Sequence, residues 1–314
     1  MKITITGGLG HIGSSLIRAD LVSIGVKEVI VVDSLSTQRF GSLFNLSEIP
    51  KITFIDKSID LLDDSDLELI EGSTVLIHLA AMTDASGSVD RKEELFVNNL
   101  GGTQSVVNLC MLKGIKLLFP SSTSVYGSQQ SLVDESTLEV NPQSPYANCK
   151  LEEEALIKDS ISTGLSGVIL RFGTIHGVSP GMRFHTAVNK FCFDYALDKP
   201  LSVWRTAISQ YRPYLALSDA VRAIQHVISK DIFDGEIYNI LTENITLETI
   251  ISIIEEVGGR PAQIEYVDNP IMNQFSYEVS KVKFQKTGFD YQGSIQEDVA
   301  NTLKLLSGIQ NVRL

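Results

Sequence analysis

The feature that most constrains the fold of this chain is a glycine pattern close to its first residue. Gly7, Gly10 and Gly13 follow the strand-like run Lys2–Thr6 and lead into a helix-like segment that begins at His11. Glycines in such a turn let the backbone approach a pyrophosphate, and the following helix offers its positive end to the same group. The pattern therefore predicts a dinucleotide-binding βαβ unit. The predicted cofactor contacts in this turn are Gly7, Gly10, His11, Ile12 and Gly13.

The periodicity of the first half places this unit in a larger sheet. Short apolar runs alternate with longer helix-like segments, as expected of parallel strands joined by crossover helices. We predict an α/β fold with a doubly wound parallel Rossmann sheet, formed by residues 1–172 and by added segments near 210–242. We predict that residues 173–314 form a smaller, mixed C-terminal lobe that mainly binds substrate. The predicted strands include Lys2–Thr6, Glu28–Val32, Thr74–Leu79, Lys116–Pro120 and Glu236–Ile240, and the predicted helices include His11–Ser23, Val89–Lys113 and Pro145–Ser162.

The charge and the cysteines narrow the function classes. The formal net charge of −12 disfavours nucleic acid as a partner, because nucleic-acid affinity depends on phosphate neutralisation. Any diphosphate ligand must then find local arginines. The three cysteines are widely spaced and predict neither a disulfide framework nor a metal site, so we expect a reducing cytoplasm. We see no signal-peptide pattern and no apolar run of membrane-spanning length.

An acidic residue at the end of the second predicted strand indicates the type of cofactor. Asp33 directly follows the apolar run Val29–Val32 and lies about 20 residues beyond the glycine turn, where an acid accepts hydrogen bonds from an adenosine ribose. Its negative charge repels a 2′-phosphate. The position therefore favours NAD over NADP.

A tyrosine and a lysine four residues apart are the strongest candidates for chemistry. Tyr146 and Lys150 lie on one face of a predicted helix, one turn from each other. A phenol has a pKa of about 10, and lowering it to about 7 requires roughly 4 kcal/mol of differential stabilisation. A lysine ammonium and an oxidised nicotinamide ring in a sheltered site can supply that energy. Alone, the pair also fits a buried tyrosine beside a solvated lysine, but next to a dinucleotide turn it favours a base that takes a hydroxyl proton while hydride leaves.

A serine-rich segment follows the predicted strand Lys116–Pro120. Ser121 and Ser122 end this strand and lead into the run Thr123–Gly127. Ligands of open parallel sheets bind beyond the carboxyl ends of the strands, so a hydroxyl here can hold a reacting oxygen against Tyr146. The alternative is a serine-rich turn that satisfies its own backbone.

Together these motifs resemble the extended short-chain dehydrogenase/reductase family, in its nucleotide-sugar epimerase and dehydratase branch. Three further motifs carry the resemblance. His78-Leu79-Ala80-Ala81 is similar to the segment under the cofactor, Asp60-Leu61 to the adenine-contacting pair, and Asn99-Leu100-Gly101-Gly102-Thr103 to the Asn-x-x-Gly-Thr signature. The resemblance implies that Ser122, Tyr146 and Lys150 are a catalytic triad. It also implies that NAD contacts Asp60, Leu61, Leu79, Ala80, Ala81, Asn99, Tyr146 and Lys150, and that NAD oxidises a sugar at C4 to a ketone.

Two departures from the family patterns favour one outcome after the ketone. Dehydratases of this branch carry Asp-Glu directly after the catalytic Ser or Thr, whereas this chain has Thr123 and Ser124. Hydroxyl groups cannot replace that acid and base. The resemblance then implies C4 epimerisation, in which hydride returns to the other face of the 4-keto sugar.

The resemblance also suggests residues that bind a nucleotide-diphosphate sugar. Arg212 is the first choice for the diphosphate because a guanidinium fork pairs with phosphate oxygens, with Arg183 and Arg205 behind it. The other predicted substrate contacts are Thr83, Ser122, Thr174 and Asn189.

The helices Val89–Lys113 and Pro145–Ser162 are the ones that form a homodimer bundle in this family, and we predict a homodimer. Val106, Leu109, Leu112 and Leu156 are apolar positions that allow it. The acidic run Glu152-Glu153-Glu154 is predicted to be a solvated face.

Three functions remain open at this point. The first is an NAD-dependent nucleotide-sugar 4-epimerase, as in the UDP-glucose/galactose 4-epimerases. The second is a net C4 dehydrogenase or reductase on the same substrate class, for example on an activated heptose or deoxysugar. The third is a non-catalytic NAD-binding regulator on the same fold, although such proteins usually lack the Tyr-x-x-x-Lys pair.

Overall fold

The computed structural model describes residues 1–83, 91–129, 131–267 and 276–308. The strands are β1 (Lys2–Thr6), β2 (Glu28–Val32), β3 (Lys51–Ile55), β4 (Val75–His78), β5 (Lys116–Ser122), β6 (Gly167–Phe172), β7 (Thr174–His176), β8 (Leu201–Trp204), β9 (Tyr211–Ala216), β10 (Ile237–Ile240), β11 (Glu243–Thr246) and β12 (Ile264–Val267). The helices are α1 (His11–Leu16), α2 (Asp64–Ile70), α3 (Lys92–Lys113), α4 (Pro145–Ser162), α5 (Ala187–Ala196), α6 (Leu217–Lys230), α7 (Leu247–Gly258), α8 (Val282–Gln285) and α9 (Ile295–Leu305).

In the described residues the largest sheet has seven strands, all parallel, in the order β10-β6-β5-β4-β1-β2-β3. The strand order reverses at β1, which pairs with β2 on one side and with β4 on the other. In open parallel sheets such a switch point opens a crevice at the carboxyl ends of the strands. The predicted doubly wound α/β fold is therefore confirmed, and the reversal places the glycine turn after β1 at that crevice.

Both faces of the sheet are covered, which explains why its strands are almost entirely apolar. Side chains of a strand point alternately to opposite faces. In β2, Val29 and Val31 belong to a core cluster shared with α1 and α6, whereas Ile30 and Val32 belong to a second cluster shared with α3 and α4. Burial on both sides fixes the register, since a slip by one residue would exchange the two sets.

The second half of the chain contributes to more than one sheet. Strand β10 and helix α6 return to the large sheet, whereas β11-β9-β7 and β12-β8 form small sheets in the described residues. A separate apolar cluster joins α5, α7 and α9 to β8. The boundary at residue 172 between two lobes stays a prediction. No helix of the described residues is long and apolar enough to cross a membrane.

Three helices differ from the sequence prediction, and one of them, the single turn α8, was not predicted. The predicted helix Val89–Lys113 corresponds to α3, and its residues Val89 and Asp90 lie outside the described residues. Helix α1 ends at Leu16 rather than at Ser23, because Arg18 and Ala19 donate to carbonyls three residues back and so tighten the last turn. Helix α2 was not predicted either. Asp63 caps it by accepting from the backbone of Ser65 and Asp66, in a capping box that includes the Asp66 carboxylate.

Helix α4 begins where its sequence requires. The Ser144 hydroxyl accepts a hydrogen bond from the backbone of Ala147 at 3.1 Å, and Pro145 occupies the first turn, where its missing N–H costs nothing. This start places Tyr146 in the first turn of the helix and Lys150 one turn later. The local sequence thus fixes the position of the Tyr-Lys pair along the chain.

The prediction that the acidic run of α4 is solvated was wrong for two of its three residues. Glu152 is exposed, but Glu153 is 0% exposed and Glu154 is 3% exposed. Glu154 accepts two hydrogen bonds from Arg171 on β6, at 2.9 and 2.7 Å, and one from Ser121 on β5 at 2.5 Å. A bidentate pair of this kind ties α4 to two strands of the sheet.

We expect Glu154→Ala to destabilise the protein strongly. The substitution leaves the buried Arg171 guanidinium without its partner, and breaking a buried ion pair in this way costs about 3–5 kcal/mol. The measurement is the free energy of unfolding in urea. Glu152→Ala on the exposed side of the same helix is the control and should change it by less than about 0.5 kcal/mol. Equal effects of the two substitutions would contradict a stabilising role of the Glu154–Arg171 pair.

Candidate active site

The glycine turn after β1 packs against the end of β4 so closely that side chains are excluded. Gly7 has φ +66°, and a Cβ there would lie 2.5 Å from the backbone nitrogen of Ala80 and 2.6 Å from the carbonyl carbon of Leu79. A Cβ on Gly13 would lie 2.6 Å from the Cα of Gly8. Because heavy atoms do not approach so closely, glycine is needed at both positions. The predicted cofactor residues Leu79 and Ala80 are thus brought against Gly7.

The middle glycine faces a more open space. A Cβ on Gly10 would first meet the Gly7 carbonyl oxygen at 3.2 Å and the Arg39 guanidinium at 3.5 Å. Ile12, the second residue of α1, is half-buried and packs against the core. The open glycine with a guanidinium beside it fits the pyrophosphate of a dinucleotide.

Asp33 lies at the same turn. One of its carboxylate oxygens accepts the backbone N–H of Leu9 at 3.0 Å, and the other accepts the backbone N–H of Leu35 at 3.0 Å. A carboxylate has about four acceptor sites, so these two bonds leave room for ribose hydroxyls. Two backbone bonds therefore hold the predicted ribose ligand next to the glycine turn.

Positive charge surrounds this turn although the chain as a whole is acidic. Burial, reinforced by the nearby charges of Arg183 and Arg39, lowers the pKa of His11 to about 3. Burial and Arg183 also lower the pKa of Arg39 to about 10, while Asp33 acts in the opposite direction. Two guanidinium groups thus act on the turn, which meets the need for local arginines beside a diphosphate.

The segment after β7 is attached to the glycine turn by a serine network. The Ser179 hydroxyl lies 2.8 Å from Nδ1 of His11. The Ser14 hydroxyl donates to the Ser179 hydroxyl at 3.1 Å. The backbone N–H of Gly181 in turn donates to Ser14 at 2.9 Å. A Cβ on Gly181 would lie 2.5 Å from the Gly10 carbonyl oxygen, so this contact also requires glycine. The network holds the neighbouring Arg183 close to the turn.

His78 ends β4 as a neutral buried group. Its Nδ1 lies 2.7 Å from the Thr6 hydroxyl, and burial, with Lys150 acting in the same direction, lowers its pKa to about 3. It cannot act as a base or carry charge near neutral pH. Ala81, three residues on, is half-buried at the start of the next loop.

Two polar residues predicted to bind ligands lie near this loop. The Asn99 side chain is buried and bonds to the backbone of Met82 in both directions, accepting its N–H at 2.8 Å and donating to its carbonyl at 3.0 Å. The Thr83 hydroxyl is buried and has no hydrogen-bond partner among the described residues. Asn99 thus braces the loop after β4, whereas Thr83 retains an unused hydroxyl.

Asp60 and Leu61 lie in the 3-10 turn Ile59–Leu61 that follows β3. Asp60 is exposed and accepts a hydrogen bond from Ser58. Leu61 is 67% exposed, so its side chain is accessible to a ligand. This exposed position at the sheet edge is where the family resemblance predicts an adenine contact.

Strand β5 ends in a group of hydroxyls. The Ser122 hydroxyl lies 2.8 Å from that of Ser124 and accepts the Ser124 backbone N–H at 3.2 Å. The Thr123 hydroxyl donates to the carbonyl of Phe172 at 3.3 Å and lies 3.5 Å from the Tyr277 hydroxyl. The two positions where dehydratases carry an acid and a base are therefore occupied by hydroxyls engaged within the protein.

Lys150 is a buried cation with specific partners. It is 3% exposed, and its ammonium lies 3.1 Å from Oε2 of Glu153, 3.4 Å from the Pro120 carbonyl and 4.5 Å from the centre of the Phe119 ring. The Thr103 hydroxyl on α3 donates to Oε1 of Glu153 at 2.6 Å. Burial is the largest single effect and disfavours the charged form, but Glu153 and Tyr146 together outweigh it, and the pKa of Lys150 is raised. The ammonium is thus held between α4 and the end of β5.

The phenol that we predict to be a base is not activated by the protein alone. Burial raises the pKa of Tyr146, Lys150 and Arg183 oppose this shift, and Glu153 reinforces it. The predicted direction of the lysine effect is therefore found, but desolvation outweighs it. The charges of the protein alone thus leave the pKa of Tyr146 above its ordinary value.

The predicted substrate residues lie in two places. Asn189 on α5 is buried and bonds to Gly177 in both directions at 3.2 Å, so it braces the loop that carries Arg183. Thr174 begins β7 and pairs in register with Tyr214 on β9.

Arg212 also lies on β9, with its guanidinium 5.9 Å from the centre of the Trp204 ring. Its positive charge opposes the rise that burial causes in the pKa values of Tyr214 and Tyr277. Since the Tyr277 hydroxyl lies beside Thr123 at the end of β5, Arg212 belongs to the same region as the candidate triad.

Sequence reasoning missed the role of Glu153. Its spacing was informative, because Glu153 follows Lys150 by three residues and Tyr146 by seven and so shares their face of the helix. A carboxylate on the face that carries a buried lysine is a candidate ion-pair partner. Sequence reasoning also missed Ser179, because its contact with the distant His11 leaves no signal in the local sequence.

Comparison with known proteins agrees with this geometry. The model of the NAD dependent epimerase/dehydratase family matches residues 3–240. A relative from Bacillus subtilis (strain 168), named as an uncharacterized UDP-glucose epimerase YtcB, is 31% identical over 98% of this chain and 99% of its own length. A dTDP-glucose 4,6-dehydratase from Streptomyces niveus is 27% identical over 97% of this chain and 92% of its own length.

Among solved structures, a UDP-glucuronic acid 4-epimerase from Bacillus cereus, in complex with UDP-glucuronic acid and NAD, has a TM-score of 0.86 to this chain. The two are 26% identical, and the match covers 98% of this chain and 99% of that one. Since the family model spans most of the chain and the Bacillus subtilis relative matches nearly all of it, the protein is an enzyme of the NAD-dependent epimerase/dehydratase family, within the extended short-chain dehydrogenases/reductases, and its cofactor is NAD.

Proposed function

We propose that the protein is a nucleotide-sugar 4-epimerase that acts through a transient 4-keto sugar. The observation that carries the proposal is the end of β5, where Thr123 and Ser124 present hydroxyls bonded to Phe172 and Ser122. Removal of water from the sugar would need an acid and a base at these positions. Inversion of the configuration at C4 needs only the Tyr146–Lys150 pair, NAD and access of the hydride to the other face of the sugar.

In the proposed mechanism Tyr146 takes the proton of the C4 hydroxyl and later returns it. Ser122 holds the same oxygen by a hydrogen bond, and the Lys150 ammonium favours the phenolate form of Tyr146. Bound NAD would supply the acceptor for the C4 hydride and the donor for its return to the other face. The glycine turn, Asp33 and the loop braced by Asn99 position the cofactor for this exchange.

We further propose a UDP-linked sugar as the substrate. The Bacillus subtilis relative is named for UDP-glucose and the Bacillus cereus structure for UDP-glucuronic acid. Arg212 is the proposed diphosphate ligand, and Arg183, Thr83 and Thr174 are proposed to line the sugar site. Incubation with UDP-glucose, UDP-galactose and UDP-glucuronic acid tests the proposal, since an epimerase gives 4-epimer mixtures without net change in cofactor. Accumulation of NADH or of a ketone would instead indicate a net C4 oxidoreductase.

A homodimer in the cytoplasm is also proposed, with a revised surface. Val106 is fully buried and Leu109 is 8% exposed, both in the chain's own core, so they cannot form the dimer contact. Val97 is 76% exposed and Leu112 is 78% exposed on α3, and these side chains are better candidates. The division into an NAD lobe of residues 1–172 and a substrate lobe of 173–314 is kept as part of the proposal.

We expect Tyr146→Phe to retain NAD binding and to lose almost all turnover. The substitution removes one oxygen and with it the proposed base, and the loss of a general base costs roughly 10²–10⁴-fold in rate. The measurements are kcat for epimerisation and the Kd for NAD. Tyr238→Phe is the control, because it also removes a hydroxyl with a hydrogen bond, 2.6 Å from Asp234, but far along the sheet at β10. Substantial activity in Tyr146→Phe would reject the assigned base.

We expect Asp33→Asn to weaken the preference for NAD over NADP. The amide still offers an oxygen to one backbone N–H, but it no longer repels a 2′-phosphate. A charge pair near 4 Å at a protein surface is worth about 4 kcal/mol, so the ratio of the two Kd values should change by at least about tenfold. Calorimetric titration with both cofactors measures the ratio. Asp159→Asn, on the exposed side of α4, should leave the ratio as it is.

A further inference from the structure

Glu153 is a buried carboxylate that no step of the proposed reaction uses. It is 0% exposed and lies on α4 between Lys150 and the facing helix α3. Its Oε1 accepts a hydrogen bond from Thr103, and its Oε2 has the Lys150 ammonium, 3.1 Å away, as its partner. Isolated buried charges are strongly disfavoured, so this carboxylate and this ammonium depend on each other.

The contacts of the Lys150 ammonium show how its pairing with Glu153 affects the orientation of the ammonium. Lys150 has three donor hydrogens on a flexible stem. The Pro120 carbonyl accepts one of them at 3.4 Å, the Glu153 carboxylate is the ion-pair partner at 3.1 Å, and the Phe119 ring lies 4.5 Å away. The Glu153 carboxylate, which is itself held by Thr103, therefore adds to the contacts that restrict the ammonium.

The charge of Glu153 also acts on the phenol one turn further back. Tyr146, Lys150 and Glu153 share one face of α4, and the carboxylate opposes the effect of the lysine on Tyr146. The pair Lys150–Glu153 carries no net charge. The phenolate is thus disfavoured by a negative group that a simple Tyr-Lys pair would not contain.

We propose that Glu153 is a positioning residue of the active site, which orients the Lys150 ammonium and, through its charge, sets the pH range in which Tyr146 exchanges its proton. The proposal rests on the proposed roles of Tyr146 and Lys150 in epimerisation. Glu153 does not touch the reacting atoms and acts through these two side chains.

The other groups that face this pair do not titrate in the same range. Burial lowers the pKa of His78 on β4 to about 3 and raises that of the Cys149 thiol on α4 to about 12. Arg183, from the segment after β7, acts on Tyr146 with a positive charge that opposes the effect of burial. The two limbs near the pair are therefore assigned to Tyr146 and Lys150.

Glu153→Gln should move the whole pH profile to lower pH. Without the carboxylate the phenolate is less disfavoured, so the acid limb, which reports Tyr146, moves down. Lys150 loses the partner that favours its charged form, so the basic limb moves down as well. Removing a charge within about 4–6 Å changes a pKa by about one pH unit or more, and Glu153 lies 3.1 Å from the Lys150 ammonium, so the basic limb should move by about that much. A purely structural role would lower the height of the profile and leave both limbs in place.

The test measures the NAD-loaded protein in two ways. The first is the pH profile of kcat/KM for epimerisation. The second is the ultraviolet titration of tyrosinate, with the Tyr146 signal obtained by subtracting the titration of Tyr146→Phe from that of its parent. Both are measured for wild type, for Glu153→Gln and for Glu152→Gln, which removes an exposed carboxylate from the same helix. Matching limbs and matching Tyr146 midpoints in all three would overturn the proposal.

A second variant applies if Glu153→Gln does not fold. Thr103→Val removes the hydrogen bond that fixes Glu153 and keeps every charge, so we expect a several-fold loss of kcat with unchanged NAD affinity and an unchanged free energy of unfolding of the NAD-loaded protein. Thr103→Ser keeps a hydroxyl donor at this position and should restore kcat. An unchanged kcat would contradict the positioning role. If wild type turns over none of the UDP-sugars, the proposed function fails, whereas the tyrosinate titration still decides whether Glu153 controls Tyr146.

Discussion

The structure depends on charges that are buried in pairs on one face of α4. Lys150 is paired with Glu153, and Glu154 is paired with Arg171 on the neighbouring strand β6. Unpaired, each of these groups would cost several kcal/mol in the interior. Together they fix the rotation of the helix, because a turn that exposed one pair would break the other. The helix can therefore present Tyr146 to the crevice in one orientation.

The crevice itself depends on a backbone contact rather than on side chains. Gly7 and Gly13 allow the turn after β1 to touch the segment after β4, and Gly181 allows the segment after β7 to touch the same turn. These contacts bring Arg39 and Arg183 to the crevice at β1, where the strand order reverses. An acidic chain thereby gains a local cationic site, which can offset the long-range repulsion of a diphosphate at this turn.

The large sheet and the position of the Tyr-Lys pair were predictable because local sequence determines them. β-branched runs specify the strands, and Ser144-Pro145 specifies the start of α4. The prediction that failed was the solvent exposure of the acidic residues of α4. Glu153 and Glu154 are polar by composition, and only partners on α3, β5 and β6 make them interior residues. The small sheets were missed for a related reason, since β8 and β12 are four residues each and are stabilised by distant contacts.

The charge balance around Tyr146 suggests how the site controls its own base. Burial and Glu153 hold the phenol protonated, and Lys150 and Arg183 alone do not reverse this. The missing positive charge is the one that an oxidised nicotinamide carries and a reduced one lacks. If the phenolate of Tyr146 forms only beside the oxidised cofactor, no reaction would begin without that cofactor. The phenolate would then take up a proton as the hydride reaches the nicotinamide. Proton and hydride transfer would then be coupled by electrostatics, which is what an epimerase needs if its keto intermediate is to be reduced again before release.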